Sequence, residues 1–212
     1  MYEYSGRALI FGASGGIGLA FSKFLENKLG VENVVKVSRS FDGFEISDEE
    51  SVFNFSEKIE GPFNLIINAT GVLQTTEVGP EKTINAVKKK SMSDIMVINA
   101  IGPALLLKHF CKKLDKTKFS VFVNLSARVG SITDNRRGGW ISYRSSKAAL
   151  NQIIKTSSIE INRRNKNAIC VTLHPGTVDS KLSQPFHKHI KKESIITPEE
   201  SVSQLILSLI HI

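Results

Sequence analysis

Tyr143 and Lys147 stand one helical turn apart in the run Ser142-Tyr143-Arg144-Ser145-Ser146-Lys147-Ala148-Ala149. Residues four apart share a helix face, so the ammonium of Lys147 can lie beside the phenol of Tyr143. An isolated tyrosine ionises near a pKa of about 10, and a fixed positive charge beside it favours the phenolate, moving the group toward acid/base work near neutral pH. Taken alone, the same spacing describes a solvated helix face. The rest of the chain decides between the two.

A second group of chemistry-bearing residues lies near the N-terminus. Gly12-Ala13-Ser14-Gly15-Gly16-Ile17-Gly18 follows a short apolar run and opens a helical pattern. Without Cβ atoms the backbone can turn tightly and approach a pyrophosphate, whose charge meets free N–H groups and the positive end of the helix. The Gly-x-x-x-Gly-x-Gly spacing differs from the general dinucleotide fingerprint, and a tight strand-to-helix turn reads the same way. Where that fingerprint expects an acidic residue for a ribose hydroxyl, about twenty residues on, this chain has Ser38-Arg39-Ser40. The guanidinium of Arg39 offers a fork of donors suited to a phosphate and no acceptor for a free diol, which favours NADP(H) over NAD(H). Ser14 adds a hydroxyl donor to the loop.

The elements that must position these groups alternate between strand and helix signals, the pattern of an α/β, Rossmann-type, doubly wound parallel sheet flanked by helices. Strands are predicted at Arg7 to Phe11, Val34 to Val37, Phe63 to Ile67, Phe119 to Leu125 and Ala168 to Leu173, with a stub of a further strand, third in order, at Phe44 to Ile46. Helices are predicted at Ile17 to Leu29, after a capping box at Ser47-Asp48-Glu49-Glu50, from Ser93 to Leu114 with a kink at Gly102-Pro103, and from Trp140 to Asn165. A last amphipathic helix follows Thr197-Pro198-Glu199-Glu200, with Val202, Leu205, Ile206 and Leu209 inward. Ser38 to Gly43 is far shorter than the dozen or so residues a parallel crossover needs, so the third strand or its crossover helix must be reduced.

The 212 residues suit one domain spanning 1–212, and no Pro/Gly/Ser-rich linker divides them. A hydrophobic share of 41% and a charged share of 23% are ordinary globular values. Cys111 and Cys170, the two cysteines, sit in apolar segments with no metal-ligand spacing, which suits a reducing, cytoplasmic setting. No charged-then-apolar leader opens the chain, and no apolar run approaches the roughly 18 residues of a membrane span. The net charge of +8 is spread over short groups such as Lys88-Lys89-Lys90 and Arg163-Arg164 with no aromatic residues interleaved. A basic surface around an anionic cofactor accounts for it better than a nucleic-acid site.

The glycine loop, the Tyr/Lys pair and the alternating units together resemble the short-chain dehydrogenase/reductase family. Asn124-Leu125-Ser126-Ala127-Arg128-Val129-Gly130-Ser131-Ile132, followed by Asp134-Asn135-Arg136-Arg137-Gly138-Gly139-Trp140, is similar to its C-factor and Sniffer-like carbonyl reductase branch. The resemblance implies that Gly12, Gly15, Gly16, Ile17 and Gly18 line a pyrophosphate and that Ser38 and Arg39 meet the 2′-phosphate. It places Glu45 and Ile46 near adenine, Asn68-Ala69-Thr70-Gly71 beside the adenine ribose, and Pro175, Gly176, Val178 and Ser180 around the nicotinamide amide. Tyr143 becomes the general acid, Lys147 its partner, and Asn99 the holder of a water linking Lys147 to solvent; a helix Asn bonding locally is the plainer reading of Asn99.

The substrate-orienting serine of the family falls on Ala127 here. Ser126 and Ser131 flank that position; Ser126, adjacent to it, is taken as the replacement, with Ser131 a near-equal alternative and neither as the remaining reading. The implied activity is hydride transfer between NADP(H) and a small carbonyl or alcohol, by an enzyme of the carbonyl reductase type. The rival is a cofactor-binding signalling or regulatory protein of the same fold, C-factor-like, with weak or no turnover. The resemblance further implies a homodimer or homotetramer and a substrate loop over Lys181 to Ile196, whose Phe186, His187 and His189 are mixed in type; with no third ligand evident, the two histidines read as surface residues and no metal is expected, and the composition points to no nucleic-acid or membrane partner. Relatives carry a C-terminal edge strand, so either it is missing here or the given chain is short.

Overall fold

Short apolar runs pair side by side because their backbone groups must be satisfied where the side chains exclude water. In the computed structural model, which describes residues 6–75, 79–184, 187 and 191–211, these runs are β1 (Ala8–Phe11), β2 (Val34–Val37), β3 (Leu65–Asn68), β4 (Ser120–Leu125) and β5 (Ala168–Leu173). They form one parallel sheet in the order β2-β1-β3-β4-β5. The connections are α1 (Gly16–Leu29), the four-residue α2 (Arg39–Asp42), α3 (Glu49–Lys58), α4 (Lys89–Met96), α5 (Gly102–Phe110) and α6 (Ile141–Arg164). A two-stranded ribbon of β6 (Thr177–Val178) and β7 (Ile195–Ile196) precedes α7 (Pro198–Ile210).

Helices cover both faces. Phe21 and Leu25 of α1 and Val202, Leu205 and Leu209 of α7 pack on Ile10, Ile67 and Val123. On the other face Val52, Leu106, Phe110, Leu150 and Ile154 pack on Leu9, Phe11, Ile66 and Phe122. The order reverses at β1, whose neighbours are β2 and β3, so a crevice opens beyond the carboxyl ends of β1 and β3. Thr197 closes a complete capping box with Glu200 at the start of α7.

Four expectations are corrected. The stub of a third strand at Phe44 to Ile46 does not form: after α2 the chain turns at Gly43, whose φ is 65°, and Phe44 drops into an aromatic cluster, 5.3 Å from the ring centroids of both Phe11 and Phe55. An apolar-polar-apolar triplet serves a loop plug as well as a strand, and the connection is too short for a crossover. At α3 the cap is Asp48, which accepts from the amide of Glu50, while Ser47 donates to Glu45 Oε1 at 2.7 Å, so no capping box forms. The long helix begins earlier, at Lys89, and its break is a π turn over Val97–Ile101. Pro103 has no N–H to offer the carbonyl of Asn99, and the wider turn absorbs the mismatch. Phe63 precedes its predicted strand proper, joined to Leu114 by an isolated bridge.

Lys89–Lys113 contains an 18-residue window of mean hydropathy 1.3, so by length and composition it could cross a membrane, yet half of that window is buried inside the fold. Polar residues such as Asn99 and His109 interrupt this stretch, so its apolar character shows in the averaged window and in no single run.

Candidate active site

The glycine turn forms because two close approaches exclude side chains. A Cβ on Gly12, whose φ is +79°, would lie 3.0 Å from the backbone of Ala69 and Thr70; one on Gly18 would lie 2.1 Å from the carbonyl oxygen of Gly12. The first turn of α1 holds no acidic residue, which leaves its positive end for an external anion. A cleft of about 260 Å³ opens in front of it, lined by Gly12, Ser14 and Gly15 from the turn, Ser38, Arg39, Phe44, Glu45 and Ile46 from the β2 side, and Ala69 to Val72 with Ile98 from the β3 side.

At the β2 end, Ser38 is buried and already employed: its hydroxyl accepts from the amide of Phe41 as the cap of α2. Arg39 projects into solvent, its side chain 82% exposed, with Nη1 3.6 Å from Glu45 Oε2. Partial burial works to raise the Glu45 carboxyl, but hydrogen bonds from Ser47 and the Arg39 guanidinium outweigh it and hold the group below the usual glutamate range. Asn68 pins the crest of β3: its amide donates to Asn124 Oδ1 at 3.0 Å, and its oxygen accepts from the amide and hydroxyl of Thr70. Pro175, Gly176 and the segment to Ser180 fold toward the start of α1. Ser201 donates to the Pro175 carbonyl, and a Cβ on Gly16 would sit 3.6 Å from that of Ser180. Val178 is buried in β6, and Ile17 packs against the α1/α7 core.

The Tyr/Lys pair does not line this cleft: Tyr143 stands on the first turn of α6 and Lys147 on the second, both inside the protein. Tyr143 is 8% and Lys147 4% exposed. Lys147 Nζ donates to the Leu125 carbonyl at 2.9 Å and lies 5.8 Å from the centroid of the Tyr143 ring. Desolvation pushes the phenol up to about 12 and the ammonium down to about 8. Asn99, in the π turn, clamps the strand-end loop: its oxygen accepts from the amide of Val72 at 2.8 Å, and its nitrogen donates to the Val72 carbonyl at 2.7 Å and to Ser146 Oγ at 3.1 Å. Gly71 links the cleft to the pair, because it lines the cleft and a Cβ placed on it would lie 3.4 Å from Asn99 Oδ1 and 3.6 Å from Lys147 Nζ.

Neither serine candidate bonds to the phenol. Ser126 donates to Asn151 Oδ1 at 2.7 Å, two helical turns along α6 from Tyr143, and Ser131 accepts from the amide of Asp134 in the following loop. Ser146, Val72, Ile98 and Phe44 were not singled out from the sequence. Each had a signal in its chain neighbour: Ser146 precedes Lys147, Val72 follows Gly71, Ile98 precedes Asn99 and Phe44 precedes Glu45. Phe186 and His189 lie outside the described residues, and His187 shares a hydrogen bond with Ser183 at 2.9 Å.

A profile of short chain dehydrogenases matches residues 40–191. The chain belongs to that family. An uncharacterized oxidoreductase of Saccharomyces cerevisiae is 28% identical over 93% of this chain and 87% of its own length. The C-signal protein of Myxococcus xanthus is 30% identical over 59% of this chain and 71% of its own length. Among solved structures, an NADPH-bound carbonyl reductase from chicken fatty liver superposes with a TM-score of 0.74 at 27% identity, covering 93% of this chain and 88% of that one. The Drosophila melanogaster carbonyl reductase Sniffer superposes with a TM-score of 0.77 at 21% identity, covering 96% and 91%, a likeness of fold.

Proposed function

We propose that this short-chain dehydrogenase is an NADPH-dependent carbonyl reductase in which Tyr143 acts as general acid/base with Lys147. One observation supports the reading: Gly71 lines the cleft in front of the glycine turn, and a Cβ on it would lie 3.6 Å from Lys147 Nζ, so a dinucleotide held in the cleft would reach the proton-transfer pair across Gly71. The cleft suits NADP(H), for it pairs a helix N-terminus free of acidic residues with an exposed guanidinium at the β2 end. Gly12, Gly15, Gly16 and Gly18 would shape the turn around the pyrophosphate, Ser14 would add a donor, and Arg39 would meet the 2′-phosphate. Asn68 to Gly71 would lie along the adenine ribose, Glu45 and Ile46 near adenine, and Pro175 to Ser180 at the nicotinamide amide.

When bound, NADPH supplies the hydride that reaches the carbonyl carbon. A phenol held near 12 is fully protonated at neutral pH, which makes Tyr143 a loaded donor for the oxygen that gains charge in reduction. Lys147, still charged below about pH 8, stabilises the phenolate that is left. Asn99 fixes the Val72 loop and Ser146, and through them the height of the groove wall beside Lys147. Burial of the pair keeps competing water away from the transferred proton. A homodimer or homotetramer accompanies this reading, and the mass in solution tests it.

One observation favours a second reading, a regulatory protein that binds the cofactor with weak or no turnover: the Ser126 hydroxyl is committed to Asn151 and leaves the substrate carbonyl without that donor. NADPH consumption across a panel of aldehydes and ketones separates the two. Turnover of at least one carbonyl, lost in Tyr143→Phe with NADPH binding retained, supports the reductase; tight binding with no turnover on any member supports the regulator.

A further inference from the structure

Tyr143 owes its position to the start of α6, and that start is built unusually. The residue at the N-cap, Trp140, holds a left-handed backbone with φ 53° and ψ 44° and supplies no side-chain cap. Bulky residues rarely adopt that conformation, and uncapped helix amides inside a protein are costly. The missing acceptors come from Glu81, 61 residues upstream of Ser142. The residue is 4% exposed; Oε2 accepts from the Ser142 amide at 3.3 Å, and Oε1 accepts from the Ser142 hydroxyl. Its backbone carbonyl takes the Trp140 amide at 2.5 Å. Three donors at the first turn of a 24-residue helix therefore converge on one residue from the segment between β3 and α4.

We propose that Glu81 is a positioning residue for Tyr143, acting as the N-cap that α6 lacks in its own sequence. The inference rests on the reading of Tyr143 as the proton donor. Ser142 is fully buried and directly precedes Tyr143, so the carboxylate that holds Ser142 also sets the rotation and depth of the turn bearing the phenol. A buried carboxylate is expensive without compensation, and the positive end of α6 together with two donors supplies it. The same segment carries Val72, clamped by Asn99, so one connection is tied both to the groove wall and to the proton donor.

The test uses the full chain with Glu81→Ala and Glu81→Gln, read by amide hydrogen exchange and by steady-state kinetics. Removing a cap is expected to speed exchange in the first turn of α6 about tenfold while β1 and α1 keep their protection. In the same variant kcat should fall about tenfold, with KM for the carbonyl and the NADPH dissociation constant within about twofold. Glu81→Gln keeps one acceptor oxygen and should restore most of both. Unchanged exchange and kcat in Glu81→Ala would overturn the proposal. So would a loss of protection throughout the protein with kcat and NADPH affinity falling together and no rescue by Gln, the behaviour of a residue that only holds the fold. If the unsubstituted protein reduces no carbonyl, the proposed function falls, and first-turn exchange alone then decides whether Glu81 is the cap.

Discussion

Lys147 is charged in water and disfavoured as a cation in the fold, so replacing it should strengthen the protein at neutral pH while destroying its activity. Burial lowers the ammonium from 10.5 to about 8. At about 1.4 kcal/mol per pH unit, that fall costs about 3 kcal/mol of stability. The sign follows from proton counting. Below pH 8 both states hold the proton and the full cost is present; between 8 and 10.5 the unfolded chain binds more protons than the native one, so stability rises with pH; above 10.5 nothing remains. Lys147→Met removes the cost and also the donor to the Leu125 carbonyl, a loss of about 1 kcal/mol at every pH that changes the offset and not the slope. Urea unfolding without added cofactor, from pH 7 to 9.5, should show the variant more stable at pH 7 by about 2 kcal/mol, with about 2 kcal/mol of the difference gone by pH 9.5. At an m value of about 2 kcal/mol/M the gap between midpoints closes by about 1 M. Cys170, whose burial raises its thiol to about 12, adds its own alkaline dependence equally to both proteins, and Tyr143, raised to about 12 from 10.0, keeps its proton in both states over most of this range and adds little to the gap. A midpoint gap that stays constant over this range would refute the claim that Lys147 is desolvated.

Carbonyl reduction should weaken as pH rises through about 8, because the charge of Lys147 that stabilises the phenolate is lost there; a kcat profile flat to pH 10 would contradict this. Arg39→Ala should weaken NADPH binding about 10- to 100-fold, the worth of a charge-assisted hydrogen bond to phosphate, and leave NADH within about twofold, as read by fluorescence titration. Gly18→Ala would force a methyl group to 2.1 Å from the Gly12 carbonyl, so a thermal melt should show a loss of more than about 2 kcal/mol, and NADPH binding should fall with it.

The sheet and its helices were legible in the chain because their signals are local. Apolar runs of four to six residues, a glycine turn, a Thr-x-x-Glu cap and a Tyr-x-x-x-Lys step each report on neighbours within a turn or a strand, and each lies where its pattern placed it except for the β3 run, which starts two residues later than predicted. The failures share one cause. Phe44-Glu45-Ile46 alternates as a strand does, and its aromatic ring is instead claimed by Phe11 and Phe55. Gly102-Pro103 announced a break, but where the helix widened depended on how its turns adjusted to a missing amide.

The same division runs through the candidate site. The chain by itself determined the chemical types available: a phenol beside an amine, a guanidinium after β2, glycines where a Cβ cannot fit. Tertiary structure alone decided what surrounds them. Burial of α6 moves the phenol up and the amine down, opposite in direction for the phenol to what the neighbouring charge suggested. Asn151 takes the Ser126 hydroxyl, Val72 takes Asn99, and Glu81 takes the start of α6. Periodicity carries information over a few residues, whereas desolvation and hydrogen bonds between segments 25 to 61 residues apart exist only once the chain has closed on itself.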